Sequence, residues 1–79
     1  MPERAAPRRQ MLKSATIAFN NGGKIDGLVK NLSDTGALLQ VESVIGIPDT
    51  FTLYIEADRF KRECQIIRRR QNKIGVRFL

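Results

Sequence analysis

Along most of this chain, apolar residues recur at every second position, in short runs bounded by residues that favour turns. Ala15, Ile17 and Phe19 alternate with Ser14, Thr16 and Ala18, the spacing of a strand with one face buried. The Asn-Asn-Gly-Gly stretch at 20–23 follows, and Asn and Gly tolerate the positive φ that a tight hairpin demands. A second strand is predicted from about Lys24 to Leu32. A third runs from about Gly36 to Glu42, with Ala37, Leu39 and Val41 on one face. Gly46 and Pro48 then force a bend. Phe51, Leu53 and Ile55 alternate in a fourth strand, and residues 56–59 turn into a fifth, from about Phe60 to Arg69. Cys64 and Ile66 mark the inner face of that strand; the step to Ile67 predicts either a bulge or a strand covered on both sides there. Residues 70–73 turn again, and Ile74, Val76 and Phe78 complete a sixth strand.

Six short strands joined by brief turns imply an all-β antiparallel barrel or a tightly rolled sandwich, because rolling up removes the edges that a flat sheet leaves open. Residues 1–13 lack the alternation and hold Pro2 and Pro7. They are expected to form a flexible basic arm ahead of a folded domain at 14–79.

Composition narrows the chemistry. A chain of 79 residues buries only about 60% of its unfolded surface, so one thin-cored domain is expected, with no enclosed active-site cavity. Histidine is absent and Cys64 is the single cysteine, which removes the common zinc sites and the Ser–His and Cys–His nucleophile pairs. None of the eight carboxylates sits in an apolar stretch that would raise its pKa. A binding protein is expected, with no catalysis, no metal and no resident cofactor. Cys64 lies in a strand-like run and reads as a small buried hydrophobe without special reactivity. A lone cysteine also fits a reducing compartment. No apolar run is long enough to span a membrane and no apolar core follows the basic residues of the first thirteen positions, so neither membrane insertion nor a signal peptide is expected. Together these predict a cytoplasmic protein.

The net charge is +6, and it is unevenly spread. Residues 1–13 carry Arg4, Arg8, Arg9 and Lys13 against Glu3, and residues 59–73 carry seven cations against Glu63, whereas residues 14–58 hold six acids against Lys24 and Lys30. Two basic blocks flanking an acidic middle suggest a localised anion site. A nucleic-acid reader on a small barrel would need exposed aromatics for base stacking. The aromatics here are Phe19, Phe51, Phe60, Phe78 and Tyr54, and the phenylalanines fall largely on inward positions. Nucleic acid is therefore a poor fit as partner.

Two motifs fit a different ligand. Arg4 and Arg8 make an R-x-x-x-R spacing, and Asn31, Ser33 and Gly36 make N-x-S-x-x-G further along. In this order around an N-terminal strand, with "NLSDTGALLQV" leading into a strand and "IGVRF" closing the chain, they resemble the two signatures of the PilZ domain. That resemblance implies a bacterial six-stranded antiparallel barrel that recognises cyclic di-GMP. It implies that Arg4 and Arg8 clamp the ligand while Asn31, Ser33 and Gly36 form its platform. The chemistry suits such a ligand. An arginine fork bonds guanine O6 and N7 together, or two phosphate oxygens, and its plane stacks on purines. Asn31 and Ser33 offer oxygens to guanine's N–H donors, and Gly36 leaves room for close approach; Ser33 also has the chemistry to shape the turn itself.

The chain departs from the family pattern in two respects. Arg4 is followed by Ala5, where family members often carry adjacent arginines, which leaves Arg9 as either an auxiliary phosphate contact or a solvated charge. Many members continue into a C-terminal helix, whereas the last strand pattern here ends at Leu79 and no such helix is expected. Arg68, Arg69 and Arg70 either extend the anion surface or form a solvated strand end. The implied function is a cyclic di-GMP receptor that changes its surface on binding so as to regulate an effector protein. The alternatives are a PilZ adaptor that no longer binds nucleotide and a small-barrel nucleic-acid binder.

Overall fold

The computed structural model describes the backbone of residues 9–79 and the side chains from residue 13 onward. Six strands lie in it: β1 (Arg9–Ala18), β2 (Lys24–Leu32), β3 (Gly36–Gln40), β4 (Thr50–Ile55), β5 (Phe60–Arg70) and β6 (Lys73–Phe78), with a single 3₁₀ turn at Glu56–Asp58. All neighbours are antiparallel, and the order β1-β2-β3-β6-β5-β4 closes on itself through β1 and β4. The barrel reading is correct, and closure leaves no sheet edge to protect. No α-helix occurs among the described residues.

The alternating apolar residues fill the interior. Ile17, Val29, Leu39, Phe51, Leu53, Ile55, Cys64 and Ile74 are fully buried, and Phe19, Phe60, Ile66 and Phe78 pack against them in part. Each large aliphatic or aromatic side chain so buried contributes about 1.5–3 kcal/mol relative to exposure. No polar or charged side chain is buried among the described residues. Cys64 behaves as a core hydrophobe: loss of hydration pushes its thiol from 9.0 up to about 11, against the nearby Arg62 charge.

The turns follow their residues. In the β1–β2 hairpin Gly22 takes a φ of +97°, and the amide of Gly23 donates to Asn21 Oδ1 at 2.9 Å. Gly46, at φ +86°, bends the segment between β3 and β4. Arg69 fixes that segment from outside it, donating to the carbonyls of Val44 (3.4 Å) and Ile47 (2.8 Å) and pairing with Asp49 at 2.7 Å.

β3 ends at Gln40, two residues short of the expected Glu42, and bulges bear on two further strands, extending β1 and deciding the alternative left open in β5. β1 begins at Arg9 rather than Ser14, so residues 9–13, expected to belong to the arm, join the sheet. Their pairing with β2 shifts register between Gln10 and Lys13, and a bulge of that kind interrupts the period-two pattern by which a strand is recognised. In β5 the register shifts between Ile66 and Arg68, and Ile67 is 65% exposed, which selects the bulge over double coverage.

Candidate functional site

The polar stretch after β2 is a compact turn held by one side chain. The Ser33 hydroxyl donates to the Gly36 carbonyl (3.2 Å) and accepts from the amides of Thr35 (3.3 Å) and Gly36 (3.2 Å). The Ser33 amide donates to the same Gly36 carbonyl at 2.9 Å, and the Phe78 amide donates to the Thr35 carbonyl at 2.8 Å, tying the turn to the end of β6. The Ser33 hydroxyl is thus occupied within the turn and sets its shape. Gly36 is required by the barrel itself, because a Cβ there would run into the Val76 carbonyl oxygen of β6. Sequence reasoning credits this glycine with ligand access, but strand-to-strand approach is the reason visible in the structure.

Asn31 stands at the end of β2, half-buried, in direct register with Gln10 of β1 and Leu38 of β3. Arg9 pairs with Leu32 one residue further on. The start of β1 and the β2–β3 turn are therefore neighbours at one end of the barrel, although they lie more than twenty residues apart in sequence. Arg4 and Arg8 lie outside the described residues, as does the side chain of Arg9.

Two cations beside this turn escape sequence reasoning. Arg77 pairs directly with Gly36 across β3 and β6, and the Arg62 guanidinium lies over the Phe78 ring, 4.9 Å from its centre. Arg62 shares with Phe60, Phe78 and residues 32–35 the lining of a cavity of about 500 Å³. The alternation of Val76 and Phe78 says that Arg77 points outward, but which residue it faces depends on register, which no local pattern carries.

A larger groove, of about 1310 Å³, opens elsewhere, between Lys13–Thr16, residues 25–28 and the segment after β3. Its charged lining consists of Asp26, Glu42, Glu56 and Lys13, and the Lys13 ammonium already pairs with Asp58 at 2.8 Å. Such a wall repels an anion, so size alone does not make this groove the anion site.

Among the described residues no Cys, Asp or Glu side chains gather as a metal site, and no helix is long and apolar enough to cross a membrane. No curated protein matches the sequence. The family model of the PilZ domain, whose members are binding domains for cyclic di-GMP, matches residues 2–79. With the closed six-stranded barrel, the Asn-x-Ser-x-x-Gly turn and a match over the whole of that span, the chain belongs to the PilZ domain family.

Proposed function

We propose that this barrel is a cyclic di-GMP receptor, with Arg4 and Arg8 gripping the ligand against Asn31 and the Ser33–Gly36 turn. The observation that supports the reading is the pairing of Arg9 and Gln10 with Leu32 and Asn31, which sets the start of β1, the strand that the first motif precedes in sequence, beside the second motif. Arg8 directly precedes Arg9 in sequence, and Arg4 comes four residues earlier. Arg9 serves as an auxiliary phosphate contact. Ser33 contributes through the shape it gives the turn, and Gly36 by holding β3 against β6. Drawing the arginine-bearing segment onto the ligand alters the surface shown to an effector protein, so binding becomes a change of shape. The protein acts as a binding module in the cytoplasm, with no cofactor of its own.

The experiment is a calorimetric titration with cyclic di-GMP. Wild type is expected to bind, and Arg8→Ala to bind roughly 5- to 150-fold more weakly, the effect of losing one bidentate contact of about 1–3 kcal/mol. Cyclic di-AMP is expected to bind less well, since adenine turns an amino donor toward an arginine where guanine offers O6. Equal binding of wild type and Arg8→Ala would remove the clamp from the mechanism. Absence of binding would favour an adaptor that works through protein contacts alone.

A further inference from the structure

Asn31 pairs with Leu38, Leu38 with Gly75, and Gly75 with Arg68, so β2, β3, β6 and β5 each contribute one residue to a continuous row. Directly paired residues share a face of the sheet. Leu39, Ile74 and Val76, their neighbours in the chain, are buried, so this row lies on the outer surface. The next outward row toward the β2–β3 turn is Gly36, Arg77 and Gln65; the next in the opposite direction is Gln40, Lys73 and Arg70. Gly75 is therefore the centre of a patch ringed by Arg68, Arg70, Lys73 and Arg77, and no carboxylate stands in any of the three rows.

Gly75 sits opposite the β5 bulge, a usual place for a strand glycine, and it leaves bare backbone at the centre of the patch. A Cβ there would meet only Arg68 Cβ, at an ordinary 3.7 Å. The charge of the patch has no such explanation in the fold. The ion pairs among the described residues are Lys13–Asp58 and Arg69–Asp49, so none of the four cations is balanced by a carboxylate. Arg77 donates only to the neutral amide oxygen of Gln65, at 3.3 Å. Arg69, by contrast, is committed to the segment between β3 and β4 and takes no part.

We infer that the cyclic dinucleotide lies over Gly75, held on one side at Asn31, on the other by Arg68, and by Arg77 from the row nearer the β2–β3 turn, with the two arginines contacting its phosphates. Neighbouring strands are about 4.8 Å apart, so the walls at Asn31 and Arg68 stand roughly 14 Å from each other along the surface, a gap in which a ligand with two anionic groups is gripped from both sides. The bare backbone of Gly75 lets it lie flat. This inference rests on the reading of the barrel as a cyclic di-GMP receptor and extends the site to residues on β5 and β6.

The test is calorimetry with cyclic di-GMP on wild type, Arg68→Ala, Arg77→Ala and Gly75→Val, with Lys24→Ala, at the far hairpin, as a control for net charge. Arg68→Ala and Arg77→Ala are each expected to weaken binding roughly 10-fold, as loss of a charge-assisted hydrogen bond does. Gly75→Val is expected to weaken it at least as much while the thermal midpoint stays in place, and Lys24→Ala to leave it unchanged. Should Gly75→Val fold poorly, the amide resonances of Arg68, Gly75 and Arg77 in wild type decide the matter: they shift on titration if the ligand lies there. Wild-type binding with Arg68→Ala and Arg77→Ala unaffected, or with those resonances still at saturation, would overturn the extended site while leaving the receptor reading intact. No binding by wild type would overturn the receptor reading and this site with it.

Discussion

At Gly36 an alanine Cβ would have to displace the backbone of β6, because the atom in its way is the Val76 carbonyl oxygen rather than a flexible side chain. Gly36→Ala is therefore expected to cost about 1–3 kcal/mol, the usual range for overpacking, seen as a lower urea midpoint with no ligand present. A stability unchanged from wild type would show that β3 and β6 can separate freely. Cys64 makes a prediction with a sign. Burial foremost raises its thiol pKa from 9.0 to about 11, so the folded state keeps the proton that the unfolded chain gives up. The stabilisation is complete below pH 9 and is lost as the pH rises through 11. Two pKa units correspond to about 3 kcal/mol. Urea unfolding of wild type and Cys64→Ala between pH 8 and 11 should show wild type more stable at the low end and the gap closing toward the high end. A constant gap would mean that the thiol ionises equally in both states. At this scale the sequence was a fair guide to burial and a poor one to purpose. An apolar run marks Cys64 as a core residue, but nothing in "NLSDTG" says that the Ser33 hydroxyl is spent on Gly36 and Thr35.

Among the elements, β2 is the clearest in the sequence, with the bounds Lys24–Leu32 expected and found, since turn residues flank it on both sides. β1 is the least clear, because the irregularity between Gln10 and Lys13 hides its first half. Register was not legible at all, being decided by how bulges and turns add up across several strands. Hence the row from Asn31 to Arg68 emerges only from the assembled barrel. The three consecutive arginines of β5 illustrate the point: adjacent in sequence, Arg68 and Arg70 face outward while Arg69 reaches the segment between β3 and β4. Arg69→Ala is expected to loosen residues 44–49, raising their proteolysis and amide exchange, at an overall cost of about 1–2 kcal/mol for a partly exposed charged hydrogen-bond cluster. Cyclic di-GMP affinity should not move. If it falls as far as in Arg68→Ala, the division of labour between these arginines is wrong.

At the scale of the whole barrel, the described residues form a closed cylinder with one short seam. Only Thr16–Tyr54, Ile17–Leu53 and Ala18–Thr52 join β1 to β4, whereas every strand from β2 round to β4 is paired along more of its length. Local opening takes the least-bonded route, so amides bonded across this seam should exchange with solvent before those between β3 and β6. Slower exchange at the seam would place the weakest closure elsewhere. The ends of the sheet carry a different consequence. β1 starts beside Leu32, and β6 finishes on the Thr35 carbonyl, so both flanks of the barrel emerge at the rim that carries the Ser33–Gly36 turn. If that turn is the ligand platform proposed above, a signal needs no relay through a rigid interior: input and output would share one doorway.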